Sequence, residues 1–203
     1  IVQKDHLSLR VPFSDKTLDA EFAATTSRAK LENWLWFAGA AAVSLWLLLG
    51  SRKQKRKLKA LPDGRDAALL AELEAVKVLV GVDNKVRIRI KEGAETTFLT
   101  RMRGQYVIAL ESGFDAAERR QVLLHELTHL KHGDLGGNQL AALILAICWW
   151  NPVIWLAFRR FRRDMEIYCD YDAARLSGDK KAYATTLVKA AAGTERFVLG
   201  TTS

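Results

Sequence analysis

A stretch of 17 residues without a charge, WLWFAGAAAVSLWLLLG (Trp34–Gly50), constrains the fold of this chain more than any other feature. A helix that crosses a bilayer needs about 17 to 25 such residues. Six of the eight residues from Arg52 to Lys59 are lysine or arginine, and positive flanks mark the cytoplasmic side of a membrane helix. The sequence therefore predicts a transmembrane helix at 34–50, an extracytoplasmic loop at 1–33, and a cytoplasmic location for everything after Ser51.

The charge balance of the chain agrees with a membrane location. A net charge of +8 is compatible with nucleic-acid binding, but the densest group of cations directly follows the apolar stretch, and no DNA-reading motif accompanies it. We therefore expect a lipid membrane as a partner and no direct contact with nucleic acid. The two cysteines, Cys148 and Cys169, lack the spacing of a disulfide framework and are expected to be reduced thiols. Because the chain begins at Ile1, we expect it to be part of a longer protein.

Helical and strand periodicities alternate along the rest of the chain, and they predict an α+β fold. A basic juxtamembrane segment (51–64) precedes a cytoplasmic domain (65–203). Apolar spacing and turn residues predict partial helix near 17–31, a helix over 65–81, strands over 85–91, 96–102 and 105–110, and a helix over 115–132. Asp115 is expected to cap the last helix together with Glu118, three residues later, as in a capping box.

The helix predicted over 115–132 contains the motif HELTH. His125 and His129 lie four residues apart, so they share one helix face, about 6 Å apart, and both imidazoles can bind one ion. Glu126 follows the first histidine and is placed to take a proton from a water at the metal, the general-base role of such motifs. Bare HExxH matches also occur by chance, but the apolar helix and the preceding strands favour a zinc site.

The third metal ligand must come from elsewhere in the chain. His132 lies about 10 Å from His125 along the helix axis, too far for all three histidines to reach one ion, and no histidine follows it. The segment RRDMEIYCDYDA (162–173) carries Glu166 and Asp170 on one helical face. One carboxylate could bind zinc while the other accepts a hydrogen bond from a ligand histidine. Cys169 remains an alternative ligand, since thiolates bind zinc well.

A second apolar run, Leu140–Phe158, separates HELTH from Glu166. If this run crossed the membrane once, the two halves of the site would lie on opposite sides. Asn151-Pro152 interrupts the run, and proline disfavours helix at the residue before it. We therefore predict a re-entrant or interfacial apolar hairpin at 138–160 that returns to the cytoplasm. Four arginines would then lie at the cytoplasmic headgroups, namely Arg159, Arg160, Arg162 and Arg163.

HELTHLKHGD, followed by WWNPVIWLAFRRFRRDMEIYCDYDA, resembles the BlaR/MecR family of membrane metallopeptidases. In that family an HExxH helix precedes an apolar stretch with Asn-Pro and then a helix with Glu-x-x-Cys-Asp. The resemblance implies a gluzincin-like zinc metalloprotease fold. It also implies that His125, His129 and Glu166 bind Zn²⁺, that Glu126 is the general base, and that Asp170 orients a histidine.

The resemblance also implies a function for the whole protein. Family members are membrane-bound zinc endopeptidases of antirepressor systems, which answer an external signal such as a β-lactam by cleaving themselves, a transcriptional repressor, or both. The expected location is the bacterial inner membrane, multi-pass, with a cytoplasmic protease domain. Two alternatives stay open from the sequence: a membrane-protein quality-control metalloprotease and a non-catalytic receptor module with structural zinc. Substrate breadth and dependence on Glu126 separate them, and a homo-oligomer is compatible with each.

Two further expectations concern the substrate. QYVIAL (105–110) is a candidate edge strand that could pair with an extended peptide, or a plain structural strand. Four side chains near the motifs are candidates to stabilise an oxyanion, and the sequence offers no basis for choosing among them: Tyr168, Tyr171, His132 and Arg163.

Overall fold

A computed structural model describes residues 15–92 and 97–199. Six helices and three strands follow one another in this part of the chain. In chain order they are α1 (Asp15–Ala60), α2 (Ala67–Val80), β1 (Val86–Lys91), β2 (Phe98–Met102), β3 (Gln105–Glu111), α3 (Ala116–His132), α4 (Asp134–Ile147), α5 (Pro152–Ser177) and α6 (Lys180–Leu199). The molecule is mostly helical, with a small sheet.

Helix α1 has 46 residues and contains the predicted membrane stretch. It is the one helix in the described ranges that is long and apolar enough to cross a membrane, and none of its apolar window is buried by the rest of the chain. Residues 15–33, expected to be a loop with partial helix, belong to α1, as do residues 51–60. No glycine or proline interrupts the sequence from Asp15 to Phe37, so the helix continues through the polar flank. Residues 1–14 of the predicted loop lie outside the described residues.

The sheet has the order β1-β3-β2, with β1 parallel and β2 antiparallel to β3. The expectation that residues 105–110 form an edge strand is therefore wrong, because β3 is the central strand. The physical reason lies in its sequence: Val107, Ile108, Ala109 and Leu110 are all buried, and a continuous apolar run is typical of a strand covered on both faces. The edge beside HELTH belongs to β2.

The sheet lies between two layers of apolar side chains. On one face, Ile108 and Leu110 join a cluster with leucines of α2 and α3. On the other face, Val107 and Ala109 pack with Leu58 near the end of α1. Arg89 of β1 strengthens this second contact, because its guanidinium donates to the carbonyl oxygens of Leu58, Lys59 and Leu61 at 2.8–3.0 Å. A cation at a helix C-terminus is favourable, so α1 is joined firmly to the sheet.

Helices α4 and α5 form an apolar hairpin. The break expected at Asn151-Pro152 is observed: the Asn151 side chain accepts from the amide of Val153 at 2.9 Å, and Pro152 occupies the first helical turn. The hairpin lies against the apolar part of α1, since Trp149 donates to the carbonyl of Trp36 at 3.2 Å. After the turn, α5 runs back to α3.

Candidate metal centre

Helix α3 is built so that HELTH faces α5. Asp115 and Glu118 form the reciprocal capping box that the sequence predicts. Leu123 and Leu127 are fully buried in the core, which turns the opposite helix face, with the two motif histidines, towards α5. Gly133 ends the helix in the left-handed conformation, φ 73°, which glycine adopts without the penalty of a Cβ.

Three donor atoms converge between α3 and α5. The Nε2 atoms of His125 and His129 lie 3.1 Å apart. The Glu166 Oε2 atom lies 3.7 Å from the first and 3.4 Å from the second. Ligands bound tetrahedrally at about 2.0–2.1 Å from zinc are separated by roughly 3.3–3.4 Å. The His125, His129 and Glu166 donors therefore lie at separations that fit one zinc ion.

Cys169 is also close to the histidines, and one ligand atom from each of His125, His129 and Cys169 lies within 4.8 Å of the others. The thiol, however, approaches the far side of the ring: Sγ lies 3.9 Å from Nδ1 of His125 and donates to the His125 carbonyl at 3.3 Å. Glu166 approaches the Nε2 atoms of both rings. This difference favours Glu166 over Cys169 as the third ligand.

The opposite nitrogen of each histidine has partners of its own. Nδ1 of His125 lies 3.1 Å from Oδ1 of Asp170 and 2.9 Å from the Tyr183 hydroxyl, which donates to Asp170 at 3.0 Å. Nδ1 of His129 lies 2.6 Å from Oδ2 of Asp134. Such contacts fix the tautomer that leaves Nε2 free for a metal and raise the basicity of the ligand.

Sequence reasoning missed two of these partners. Asp134 stands five residues after His129, and the left-handed turn at Gly133 brings it back towards that ring; the glycine was the available signal. Tyr183 lies on α6, 58 residues from His125 in sequence, and no local pattern connects the two. Only the packing of α6 on α3 and α5 brings its hydroxyl to the site.

Glu126 lies beside the donor atoms and is 5% exposed. Burial raises the pKa of its carboxyl, against the opposing effect of the two neighbouring histidines. It faces a cavity of about 340 Å³. Besides the site residues, the cavity wall includes Phe98 and Leu99 of the edge strand β2, Leu135 and Asn138 of α4, and Arg162 and Met165 of α5. A buried carboxylate with a raised pKa is suited to accept a proton near neutral pH.

The electrostatics of the site favour bound protons when no metal competes. Burial lowers the pKa of His125, but the hydrogen bond to Asp170 and the nearby Cys169 and Glu126 raise it, to about 10. Burial likewise lowers the pKa of His129, while Cys169, Glu166 and Asp134 raise it, to about 11. The hydrogen bond with His129 lowers the pKa of Glu166. The site is thus rich in negative charge.

The four predicted oxyanion candidates lie away from this cavity wall. His132 donates from Nε2 to Oδ2 of Asp172 at 3.0 Å, and its ring packs against Tyr168 with centroids 4.7 Å apart. Tyr171 is 64% exposed, and Arg163 is exposed as well. The arginine that lines the cavity is Arg162. It lies four residues before Glu166 and so shares its helix face, a spacing that sequence analysis could have used.

Two histidines and a glutamate at zinc-ligand separations, with a buried glutamate beside them, define a metallopeptidase-like centre. The model of the M56 peptidase family, described as BlaR1 peptidase M56, matches residues 7–201. The chain belongs to this family, and its resemblance to BlaR/MecR proteins is confirmed. A metallopeptidase of this kind implies a metal, typically zinc.

Individual relatives support the same assignment. The chain is 28% identical over 172 residues to "Regulatory protein BlaR1" of Bacillus licheniformis, covering 84% of this chain and 27% of that protein. It is 34% identical over 59 residues to the methicillin resistance mecR1 proteins of Staphylococcus aureus and Staphylococcus epidermidis, covering 29% of this chain and 10% of theirs. The chain thus spans about a quarter of the BlaR1 relative.

Proposed function

We propose that this chain is the peptidase unit of a membrane-bound, gluzincin-type zinc endopeptidase in an antirepressor signalling system. Its targets are the receptor itself, a cytoplasmic transcriptional repressor, or both, and the external signal is a β-lactam or a similar ligand. The names of the relatives, a regulatory protein and methicillin resistance proteins, support this class of function.

The single observation that carries the proposal is the convergence of the three donor atoms beside Glu126. The two Nε2 atoms and Oε2 of Glu166 are separated by 3.1, 3.4 and 3.7 Å. In the proposed site, His125, His129 and Glu166 hold zinc, and Asp170, Tyr183 and Asp134 orient the histidines. When bound, zinc supplies a Lewis acid that polarises a carbonyl and acidifies water.

The chain's own residues then have distinct tasks. Glu126 takes the proton of the attacking water, aided by a carboxyl pKa that burial raises, and passes it to the leaving amine. Arg162, in the cavity wall, is placed to stabilise negative charge on the substrate carbonyl oxygen. An extended substrate would pair with the edge strand β2, since Phe98 and Leu99 line the same cavity.

Helix α1 and the hairpin support a membrane topology for the proposed peptidase. The cations at the end of the α1 apolar stretch favour the cytoplasmic side. Gly39, next to the hairpin turn, precedes Arg52 by 13 residues, or about 20 Å of helix. Pro152 precedes Arg163 by 11 residues, or about 16 Å. Both basic groups therefore lie at a similar depth, which supports a re-entrant hairpin at 138–160 and a cytoplasmic peptidase site in the bacterial inner membrane.

Two variants test the proposal. Glu166→Ala should lose most of the one zinc per chain expected in the detergent-purified wild type, measured by metal analysis. Glu126→Ala should keep the zinc and lose at least about 100-fold in cleavage rate, since a general base contributes about 10²–10⁴-fold. Full zinc in Glu166→Ala would identify another ligand, with Cys169 the first to examine. Unchanged cleavage in Glu126→Ala would contradict the catalytic assignment, and intact signalling without cleavage would favour a receptor module.

A further inference from the structure

The α4–α5 hairpin carries a groove that the proposed chemistry does not use. It is a cavity of about 410 Å³, within the size range of roughly 300–1,000 Å³ common for ligand sites. Aliphatic and aromatic side chains form its walls, and each helix contributes one alanine, Ala141 of α4 and Ala157 of α5. The defining residues are Leu140, Ala141 and Ile144 of α4 and Ile154, Ala157 and Phe161 of α5.

The groove lies at the depth of the apolar part of α1. Trp155 of α5 packs near Trp46 of α1, with ring centroids 6.5 Å apart. Trp46 is the thirteenth of the 17 residues in the predicted membrane stretch, and Ile154 and Ala157 of the groove flank Trp155 in sequence, so this part of the groove lies beside the later part of that stretch. Leu140 and Val153 nearby are 60% and 65% exposed. Such a surface is favourable only when it faces lipid or another apolar partner.

One end of the groove adjoins the metal cavity. A Cβ added at Gly137 would lie 3.5 Å from Cζ of Phe161 and 4.0 Å from Sδ of Met165. Gly137 and Phe161 line the groove, while Met165 lines the metal cavity. Met165 therefore lies close to both the end of the groove and the metal cavity. Along α5, Phe161 at the end of the groove and Glu166 are five residues apart, or about 7.5 Å.

We propose that this groove binds an apolar, membrane-embedded segment of the polypeptide substrate, and that it selects peptide bonds close to the membrane surface. This inference rests on the proposed peptidase function and names its substrate class. An extended chain covers about 7.5 Å in roughly two residues, so the scissile bond lies about two residues beyond the docked apolar segment. Continuity with the metal cavity favours a polypeptide over a lipid, because only a chain that continues past the groove would occupy both the groove and the metal cavity.

The test uses this protein in vesicles of phosphatidylethanolamine and phosphatidylglycerol with two fluorogenic substrates. One is a soluble peptide, and the other carries the same sequence fused to a 20-residue leucine–alanine helix. Ala157→Trp fills the groove, and Leu156→Trp is the matched control on the lipid-exposed neighbour, 53% exposed. We expect Ala157→Trp to lower kcat/KM for the anchored substrate about tenfold and to leave the soluble peptide unchanged, since remote binding contributes to turnover. Leu156→Trp should change neither.

Equal effects of Ala157→Trp on both substrates, or no effect on either, would overturn the proposal. Ala141→Phe fills the opposite wall and replaces Ala157→Trp if that variant loses its helical circular dichroism. If the wild type cleaves neither substrate, the peptidase proposal fails, and docking is judged separately in the Glu126→Ala variant. There, a benzophenone in the apolar helix of the anchored peptide should label α4 and α5, and Ala157→Trp should abolish the labelling. Peptide labelling that persists in the Ala157→Trp variant would refute docking in the groove. Preferential labelling of the groove by a photoactivatable phospholipid, and not by the peptide, would refute it as well.

Discussion

Helices α3 and α4 are neighbours, and each carries a pair of leucines whose surroundings are opposite to those of the other pair. Leu123 and Leu127 of α3 are 0% exposed, whereas Leu140 and Leu143 of α4 are 60% and 57% exposed. In α3 the apolar face is removed from solvent by the sheet and α2. In α4 the apolar face points outwards, which is costly in water but not in lipid. The comparison shows that one chain places the same residue type in opposite surroundings on neighbouring helices, and the exposed leucines of α4 are those that the proposed membrane hairpin would turn towards lipid.

The largest effect expected on stability separates these two environments directly. Leu127→Ala should lower the free energy of unfolding by about 2–5 kcal/mol, because it removes buried contacts and leaves a cavity. Leu143→Ala, of the same chemistry, should change it by less than about 1 kcal/mol in detergent, since the micelle replaces the lost contacts. Denaturant unfolding of both variants measures the difference. A similar loss in the two variants would mean that the outer face of α4 is packed against protein.

The next prediction concerns the histidine partners. Asp134→Asn should weaken zinc binding by about 10–100-fold, the range typical for outer partners of metal ligands. Tyr183→Phe should weaken zinc binding by a factor near the lower end of that range, because Asp170 still contacts Nδ1 of His125. Competition with a chromophoric chelator measures both affinities. Tyr171→Phe, on the exposed part of α5, is the control and should bind zinc as the wild type does. A larger loss for Tyr183→Phe than for Asp134→Asn would reverse the order inferred from the contacts.

Substitution of two glycines of α1 by alanine should have smaller effects on stability, and the two effects should be opposite in sign. A Cβ at Gly39 would lie 2.1 Å from ring atoms of Trp149, whereas a Cβ at Gly50 would meet nothing within 4 Å. Gly39→Ala should therefore destabilise the packing of α1 on the hairpin by about 1–3 kcal/mol, as overpacking does. Gly50→Ala should stabilise the helix by about 0.5–1 kcal/mol. Thermal unfolding in the same detergent compares them, and a stabilised Gly39→Ala would show that the hairpin does not press on α1.

The sequence predicts the local features well because their causes are local. Helix α3 with its capping box depends on Asp115 and Glu118, three residues apart. The break in the second apolar run depends on Asn151 and Pro152, which are adjacent. The HELTH spacing likewise follows from the helical repeat alone. In each of these cases the residues that decide the structure lie within one turn of each other.

Features that depend on tertiary packing could not be predicted in the same way. The central position of β3 follows from which strands pair with it, although its run of buried residues was a usable signal. Tyr183 reaches His125 only because α6 packs across the site. Arg163 and not Arg162 is named as an oxyanion candidate from the sequence. Both residues belong to one arginine cluster, and only their angular position on the helix relative to Glu166 distinguishes them. Long-range partners of a metal site are therefore the least predictable part of it.

The last prediction, a pH dependence, belongs to the metal site and not to the apolar face. Zinc binds neutral imidazole, so it must displace any proton held there. Against the lowering by burial, Asp170 and Cys169 raise the pKa of His125 to about 10, and Cys169 and Glu166 raise the pKa of His129 to about 11. A raised pKa means that the metal-free site keeps its proton at neutral pH, and zinc affinity should fall as the pH falls.

The expected slope is about tenfold in affinity for each pH unit and each proton displaced. Chelator competition from about pH 6 to 9 should show affinity that rises throughout, because the pKa values of both histidines lie above this window. In Asp134→Asn the slope should decrease, since that carboxylate helps to raise the pKa of His129. Affinity that is constant over the same pH range would mean that both histidines are already neutral, and the carboxylates would then serve only to orient them.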